Sequence, residues 1–437
     1  MRTATILRSL AAMVLSFTVA TVNAATPRQK LIDEYRTSNH PIYFGDTTVI
    51  TSQEEQAELL RKFYENQFRQ FSDPMAPYFM MMSRDGKLAM GVGGVFALHE
   101  RYDWHGVQNS YDFITYNIPT DVAPNARHGF GTSVAGTKVF ATVMGRYRNL
   151  GFFKVYVEGK FNESQAFVLG KAYATLSDWT VGYDSSTFCD GAAHPGTVDG
   201  QGPNSYIDHT NVLVRWMHTF KDHYVVAASM ETPSTMIPKS QYYEGCSNFM
   251  PSFAAFAQYQ WEGMHQHVRL SGIVRGLEYR NLVSATNHKV VGWGLHLSTV
   301  FNPTRNLTVF GSVQGGRGIS ALVNDLQEAP LDLAPRYGVD GKMFAPGEVG
   351  WYAALQYSWN PKVYSTLIFS QERYFAGKQA TAGNDIYRSG YYATANVFYH
   401  PVPRATFGIE YNYGYRTNYD RVSGHMNRVQ MLFQFDF

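Results

Sequence analysis

The ten residues that end the chain constrain its fold more than any other stretch. They read Arg428-Val-Gln-Met-Leu-Phe-Gln-Phe-Asp-Phe437. Val429, Met431, Phe433, Phe435 and Phe437 share one face at period 2, and Gln430, Gln434 and Asp436 share the other. A strand of about 9–11 residues with one face in hydrocarbon and one in water is what a transmembrane barrel requires. A soluble sandwich strand can alternate too, but it rarely closes a protein on Phe. The same alternation recurs from Lys87 onward, so the fold class read here is all-β, a transmembrane antiparallel barrel.

The other end of the chain reads as a secretory signal over 1–24. Arg2 and Arg8 give a basic start, Leu10 to Val22 is an apolar core too short to span a bilayer, and Val22-Asn23-Ala24 offers a cleavage site. Without Arg2 and Arg8, 37 basic residues become 35, matching the 35 acidic ones. A formally neutral mature chain gives no reason to expect nucleic acid as a partner, and charge-based function must come from local placement. Beyond the signal no run of about 18 apolar residues occurs, so no membrane-spanning helix is expected. Aromatic residues at 15%, charged residues at 16% and 38 glycines suit an outer-membrane barrel, whose lipid signal is spread over alternate positions.

Residues 25–85 differ from the rest. Ser52 and Glu55 resemble a capping box, and Leu60, Phe63, Tyr64, Phe68 and Phe71 fall near one helical face before Pro74 and Pro77. A short periplasmic helical segment is expected there, with trimerisation or peptidoglycan contact as a sharper alternative. The barrel is expected over 86–437. Short turns near 148–149, 177–178, 221–222, 262–263, 302–303, 360–361 and 401–403 alternate with mostly longer outer connections, the longest at 316–347. This gives about 16 strands with both ends on the periplasmic side, and an interior wide enough for water.

The alternation also assigns faces. Inward positions of the early strands carry Arg101, Arg146, Lys154, Lys160, Lys171, Arg215, Arg269 and Arg275, whereas Glu410 and Asp436 lie among the few later inward charges. Cationic rings favour anions in pores, so small anionic solutes are the expected cargo. Small residues read as outward (Gly94, Ala141, Gly145, Ala166, Gly170, Ala172) suggest that another barrel packs on the early strands. The 185–207 loop has the composition of an in-folded constriction. Gly191, Gly196, Gly200 and Gly202 allow tight bends, and Asp184, Asp190 and Asp199 add negative charge facing the basic wall. The alternative is that basic residues pair with loop acids and only hold the loop down. The two cysteines, Cys189 and Cys246, fall in outer loops two strands apart and are expected to form a disulfide.

The order Tyr183-Asp184 … Thr187-Phe188 … Pro195 … Asp199-Gly200-Gln201-Gly202-Pro203 resembles the DcaP-like family of trimeric outer-membrane porins. The resemblance extends to the preceding helix and to Glu158-Gly159-Lys160-Phe161, where the family tends to have Glu-Gly-Asp-Phe. It covers most of 80–235. It implies a homotrimer of 16-stranded pores in the outer membrane of a Gram-negative bacterium, passing small, mostly anionic solutes. Outer-membrane lipids and the barrel-assembly machinery, reached through Phe437, are the other expected partners. No Gly-x-Ser-x-Gly or His-Glu-x-x-His motif occurs among the 14 histidines, so neither enzyme chemistry nor a cofactor is expected. His265 and His267 share a strand face, which reads as two pore or rim histidines rather than a metal pair. The alternatives to a pore are a surface receptor or adhesin using the 185–207 and 316–347 loops, or a barrel hydrolase.

Overall fold

The structure is a computed structural model that describes residues 42–45, 79–108, 111–147, 151–261, 266–336, 339, 341–376 and 385–437. The expected helix near 52–71 and the signal lie outside the described residues. So do the turns at 148–149 and 262–263, together with His265.

The first strands are β1 (Ile42–Phe44), β2 (Phe79–Ser83) and β3 (Leu88–Trp104). They are followed by β4 (His128–Ser133), β5 (Lys138–Tyr147), β6 (Gly151–Phe161), β7 (Phe167–Leu176) and β8 (Trp179–Ser185). Next come β9 (Thr210–Phe220), β10 (Tyr224–Glu231), β11 (Tyr243–Gly245), β12 (Ser252–Trp261), β13 (Gln266–Asn281) and β14 (Thr286–Thr304). After these run β15 (Leu307–Arg317), β16 (Ala334–Pro335), β17 (Met343–Phe344) and β18 (Gly347–Asn360). The last four are β19 (Val363–Phe375), β20 (Tyr387–Tyr399), β21 (Ala405–Asn418) and β22 (Ser423–Asp436).

Seventeen of these close an antiparallel barrel of sixteen spans. β4 and β5 together act as one span: β4 pairs with the upper half of β3 and β5 with its lower half. β11 only extends the edge of β13, and β16 and β17 form a small hairpin of their own. Closure is made by β22 on β3, from Asn427 opposite Trp104 to Asp436 opposite Val95. The pattern of the last ten residues thus does what its alternation required. Met431 and Phe435 face outward and exposed, whereas Arg428 and Gln430 are fully buried inside. In hydrocarbon every backbone N–H and C=O needs an internal partner, and a closed ring of strands supplies them all.

β2 pairs with β3 directly below the end of β22, from Phe79 opposite Val92 to Met82 opposite Ala89. It runs in the same direction as β22 and so continues its line. β1 pairs parallel with β2. Ile42–Phe44 and Phe79–Ser83 therefore join the sheet from inside the 25–85 stretch read as a helical segment.

The faces assigned from sequence agree with the burial alternation of β5, β6, β13, β18 and β21. Among the small residues read as outward, Ala166 lies in the turn before β7, where Phe167 and Leu169 are the outward residues, and Gly170 is an exception. It sits in a bulge between β6 and β7, and a Cβ there would meet the Glu158 carboxylate, which is inside. The turn expected at Asn302-Pro303 lies instead at Arg305-Asn306, because β14 runs on to Thr304 through a register irregularity after Phe301. Pro303, which has no N–H to give a ladder, sits within that irregularity.

Candidate functional site: a lumen divided by an in-folded loop

The segment after β8 does not stay outside. Its base is closed by the Ser186 N–H on the His209 carbonyl (2.8 Å), and the chain between crosses the barrel interior. Side chains of the later wall hold it strand by strand. Thr187 N–H donates to Glu231 (2.9 Å), and Arg269 Nη1 donates to the Cys189 carbonyl (2.9 Å). Asp190 accepts from Ser298 Oγ (2.5 Å) and faces His267 Nε2 at 2.7 Å and Arg269 Nη1 at 3.5 Å. Tyr352 donates to the Ala193 carbonyl (2.9 Å), and Asn396 donates to that of Gly196 (2.8 Å). The Glu410 carboxylate accepts the backbone N–H groups of Val198 and Asp199, both at 2.8 Å. Asp199 in turn accepts from Phe113 N–H (2.9 Å) and Tyr392 hydroxyl (3.0 Å). At Gly202 the backbone passes against the Tyr392 hydroxyl, where a side chain would have no room.

Two outer connections complete this cover. Loop 105–127 is tied down by Arg428, whose Nε and Nη2 grip Asp103 (2.5 and 2.9 Å) and whose Nη1 reaches the Tyr111 and Asp112 carbonyls. Loop 318–346 lies against the in-folded loop through an Ile207–Val323 bridge and the Asn324 N–H on the Tyr206 carbonyl. An apolar cluster of Phe188, Ile207, Ile319, Leu322, Val323 and Leu326 packs the junction.

The result is an asymmetric interior. On β19 the inward side chains Tyr364, Thr366, Ile368, Ser370, Glu372 and Tyr374 are all 4% exposed or less. On β6 and β7 the inward Lys154, Tyr156, Lys171, Tyr173 and Thr175 are partly exposed, and Lys160 is exposed. The open passage therefore runs along the early wall. There Phe140, Tyr156 and Tyr173 stack across three strands, with ring centroids 5.7 and 5.3 Å apart. Lys154 Nζ lies 5.4 Å from the Tyr156 ring centre, within cation–π range.

The eight basic residues predicted to line the pore divide into two groups. Lys154, Lys160 and Lys171 stand on the open wall, and Arg101 is half-buried 3.7 Å from Asp103. Arg146 is exposed over the Phe152 ring near the lower end of β5. Arg215, Arg269 and Arg275, at 3%, 1% and 1% exposure, are not pore-lining. Arg215 is bound to Asp184 (2.6 Å) and Arg275 to Asp332 (2.9 Å), and Arg269 holds the in-folded loop. The predicted constriction acids are corrected likewise. Asp184, Asp190 and Asp199 are 4%, 0% and 1% exposed: Asp184 lies on β8 against Arg215 (2.6 Å) and 3.9 Å from Lys171, and Asp190 and Asp199 are held within the in-folded loop. A buried carboxylate needs a charge partner or several donors, and these three have them. For Asp190, burial pushes the carboxyl up, but Arg269 and His267 outweigh it and hold it far below the usual range.

The disulfide is also corrected: Cys189 and Cys246 are both free thiols. Cys189 travels inward with its loop and is buried, with its sulfur 3.7 Å from the His209 carbonyl, while Cys246 follows β11 at the outer rim. Sequence reading missed the anchors Glu410, Tyr352, Asn396 and Arg428. Their inward parity was visible, but their partners lie hundreds of positions away. It also left out Lys138, which sits inside 3.6 Å from Glu158.

The DcaP outer membrane protein family matches residues 88–437. The outer membrane channel DcaP of Acinetobacter baumannii is 17% identical with a TM-score of 0.69, covering 80% of this chain and 98% of that one. An anion-selective porin from Comamonas acidovorans is 10% identical with a TM-score of 0.52, covering 80% of this chain and 100% of that one. No curated protein matches the chain. The closed sixteen-stranded barrel and the match across its whole length lead to one conclusion: the chain belongs to the DcaP outer membrane protein family and is an outer-membrane porin.

Proposed function

We propose that this porin passes small hydrophilic solutes by passive diffusion and prefers anions. The observation that supports the preference is the difference between the two inner walls. The later wall is covered by the in-folded loop with its acids neutralised, and the open wall carries Lys154, Lys160 and Lys171. Charges lining a cleft with low-dielectric walls focus the field and raise the local concentration of counter-charged solute. Loop acids facing this wall would have cancelled the effect, but Asp190 and Asp199 are buried within the in-folded loop, and Asp184, 3.9 Å from Lys171, is already held by Arg215 at 2.6 Å. Reversal potential of the full-length protein in a salt gradient tests the reading. A potential of the anion-selective sign is expected, and a cation-selective or neutral pore refutes it.

The assembly proposed is a homotrimer, with the outward small residues Gly94, Ala141 and Gly145 and the exposed Val92 and Val139 at the contact. The mature chain is proposed to start near Ala25, with a periplasmic segment ahead of the barrel. The terminal strand ending at Phe437 is the proposed handle for the barrel-assembly machinery. Native gel mobility before and after boiling, and crosslinking from cysteines placed at Ala141, test the oligomer.

A further inference from the structure

Two cations stand side by side where β19 and β20 meet the outer rim. Arg373 is exposed on the outward face of β19, its guanidinium 5.1 Å from the Phe375 ring centre. It pairs across with Ser389, the chain neighbour of Arg388. Arg388 itself occupies the irregularity between Tyr387 and Ser389 where β20 pairs with β21. Both charges reach one atom in the turn after β21. Burial raises the Tyr419 phenol, and the Ala376 N–H, Arg388 and Arg373 pull it back. Among the described residues neither guanidinium forms an ion pair or a hydrogen bond.

Below this pair the outward face of β20 is cut back. The register sets Ala393 between Phe369 and Tyr413, and Ala395 between Leu367 and Tyr411. Neighbouring strands lie about 4.8 Å apart, so the large side chains of β19 and β21 wall a trough about 10 Å across. The two alanines are its floor. Tyr391 forms its upper edge, with its ring centre 6.4 Å from that of Phe369 and 6.2 Å from that of Tyr415. Phe369, Leu367, Tyr411 and Tyr413 are 44%, 58%, 41% and 36% exposed, so nothing in the chain fills the trough. It lies three strands from β3, outside the patch proposed for the subunit contact.

This face of an outer-membrane porin is covered by lipid, and the rim above it sets which headgroup fits. Two cations without a counter-charge at headgroup depth attract an anion. The planar fork of arginine matches phosphate with two parallel hydrogen bonds, and the hydroxyl side chains Thr417 and Ser423 continue the row of Arg373 and Ser389. We propose that the outward face of β19, β20 and β21 is a site for a phosphate-bearing lipid of the outer leaflet. Its phosphate sits on Arg373 and Arg388, and one acyl chain runs down the trough over Ala393 and Ala395.

The test uses the full-length protein, freed of lipid in detergent and offered dioleoyl phosphatidic acid or dioleoylglycerol in mixed micelles. The two probes share their chains and differ in the phosphate. Lipid retained per folded barrel is read by native mass spectrometry, with Tm beside it. Phosphatidic acid should be retained severalfold better than dioleoylglycerol and should raise Tm. Arg373→Gln combined with Arg388→Gln should bring its retention down to the level of dioleoylglycerol. Ala393→Trp fills the trough and should lower retention of both lipids, whereas Arg305→Gln, at the periplasmic turn, should change neither. Heat-modifiable gel mobility shows that each variant has assembled, and if the double variant fails to assemble, Arg388→Gln alone serves with the same readouts. Equal retention of the two lipids, or retention of phosphatidic acid unchanged in the arginine variant, overturns the proposal. So does inorganic phosphate alone raising Tm as much as phosphatidic acid, since the rim would then hold a free anion without a lipid.

Discussion

Asp325 and Thr115 are bonded twice. Thr115 N–H donates to Oδ1 at 2.5 Å and its hydroxyl donates to Oδ2 at 2.6 Å. Tyr116 N–H adds a third bond at 3.0 Å. This single carboxyl group joins the outer loops 105–127 and 318–346 across the mouth.

Docking of these loops should depend on pH. Burial raises the Asp325 carboxyl from 3.8 to about 7, against the opposing pull of the Thr115 and Tyr116 donors and of Arg416. The docked state therefore holds a proton that the released state gives up above about 3.8. Its contribution is complete below that value and is lost as pH rises through about 7. Protection of residues 113–118 against hydrogen exchange, taken relative to the intrinsic rate at each pH, should be higher at pH 5 than at pH 8, and Asp325→Asn should remove the difference. An unchanged profile in that variant would refute the assignment.

The Asp190–Arg269 contact should set how firmly the in-folded loop is held. Removing one member of a buried pair leaves the other uncompensated, at a cost of about 3–5 kcal/mol. Asp190→Ala should therefore lower Tm and give noisier, larger single-channel currents. Quiet currents of unchanged size would show that the hydrogen bonds donated by Tyr352 and Asn396 and accepted by Glu410 suffice.

Selectivity should respond to the open wall and not to the buried arginines. Lys154→Gln combined with Lys171→Gln should reduce the anion-to-cation permeability ratio severalfold. The effect should shrink at about 1 M salt, where the Debye length is about 3 Å. Arg275→Gln should instead lower the yield of folded protein, since it strips Asp332 of its partner. The opposite pattern in reversal-potential measurements would reverse the roles of the two groups.

Thiol chemistry should distinguish the two cysteines. Denatured, unreduced protein should titrate with two thiols. In the folded protein Cys246 should react with an aromatic disulfide reagent, whereas Cys189 should not, because burial both shields it and pushes its thiol well above 9.0. Zero thiols after denaturation would restore the disulfide.

The barrel seam should be sensitive at Gly94. Its N–H and carbonyl pair with the terminal Phe437 at 2.7 and 2.9 Å. A Cβ at this position would lie 2.6 Å from the Lys138 carbonyl and 2.7 Å from the Phe437 ring. Gly94→Val should cut the heat-modifiable fraction on gels, and full assembly would show that the terminal ring can move aside.

The sequence by itself determined the barrel, its strand number and which side of each strand meets lipid. The reason is physical: side chains alternate at period 2, and the bilayer punishes any polar residue on the wrong face. Phe407, Ile409 and Tyr411 could only point outward, and Glu410 and Asn412 only inward. Inward parity, however, does not say whether a side chain meets water or another part of the chain. Lys154 and Arg269 both face in, yet one lines the passage and the other is sealed beneath the loop. That difference depends on where residues 186–209 come to rest, which is decided by Glu410, Tyr352, Asn396 and Arg269, between 80 and 212 positions away in sequence. The same fold carried Cys189 inward, away from the rim where the strand count had put it beside Cys246. Local alternation follows from one segment at a time. The constriction follows from hydrogen bonds that exist only once the barrel has closed around its own loop.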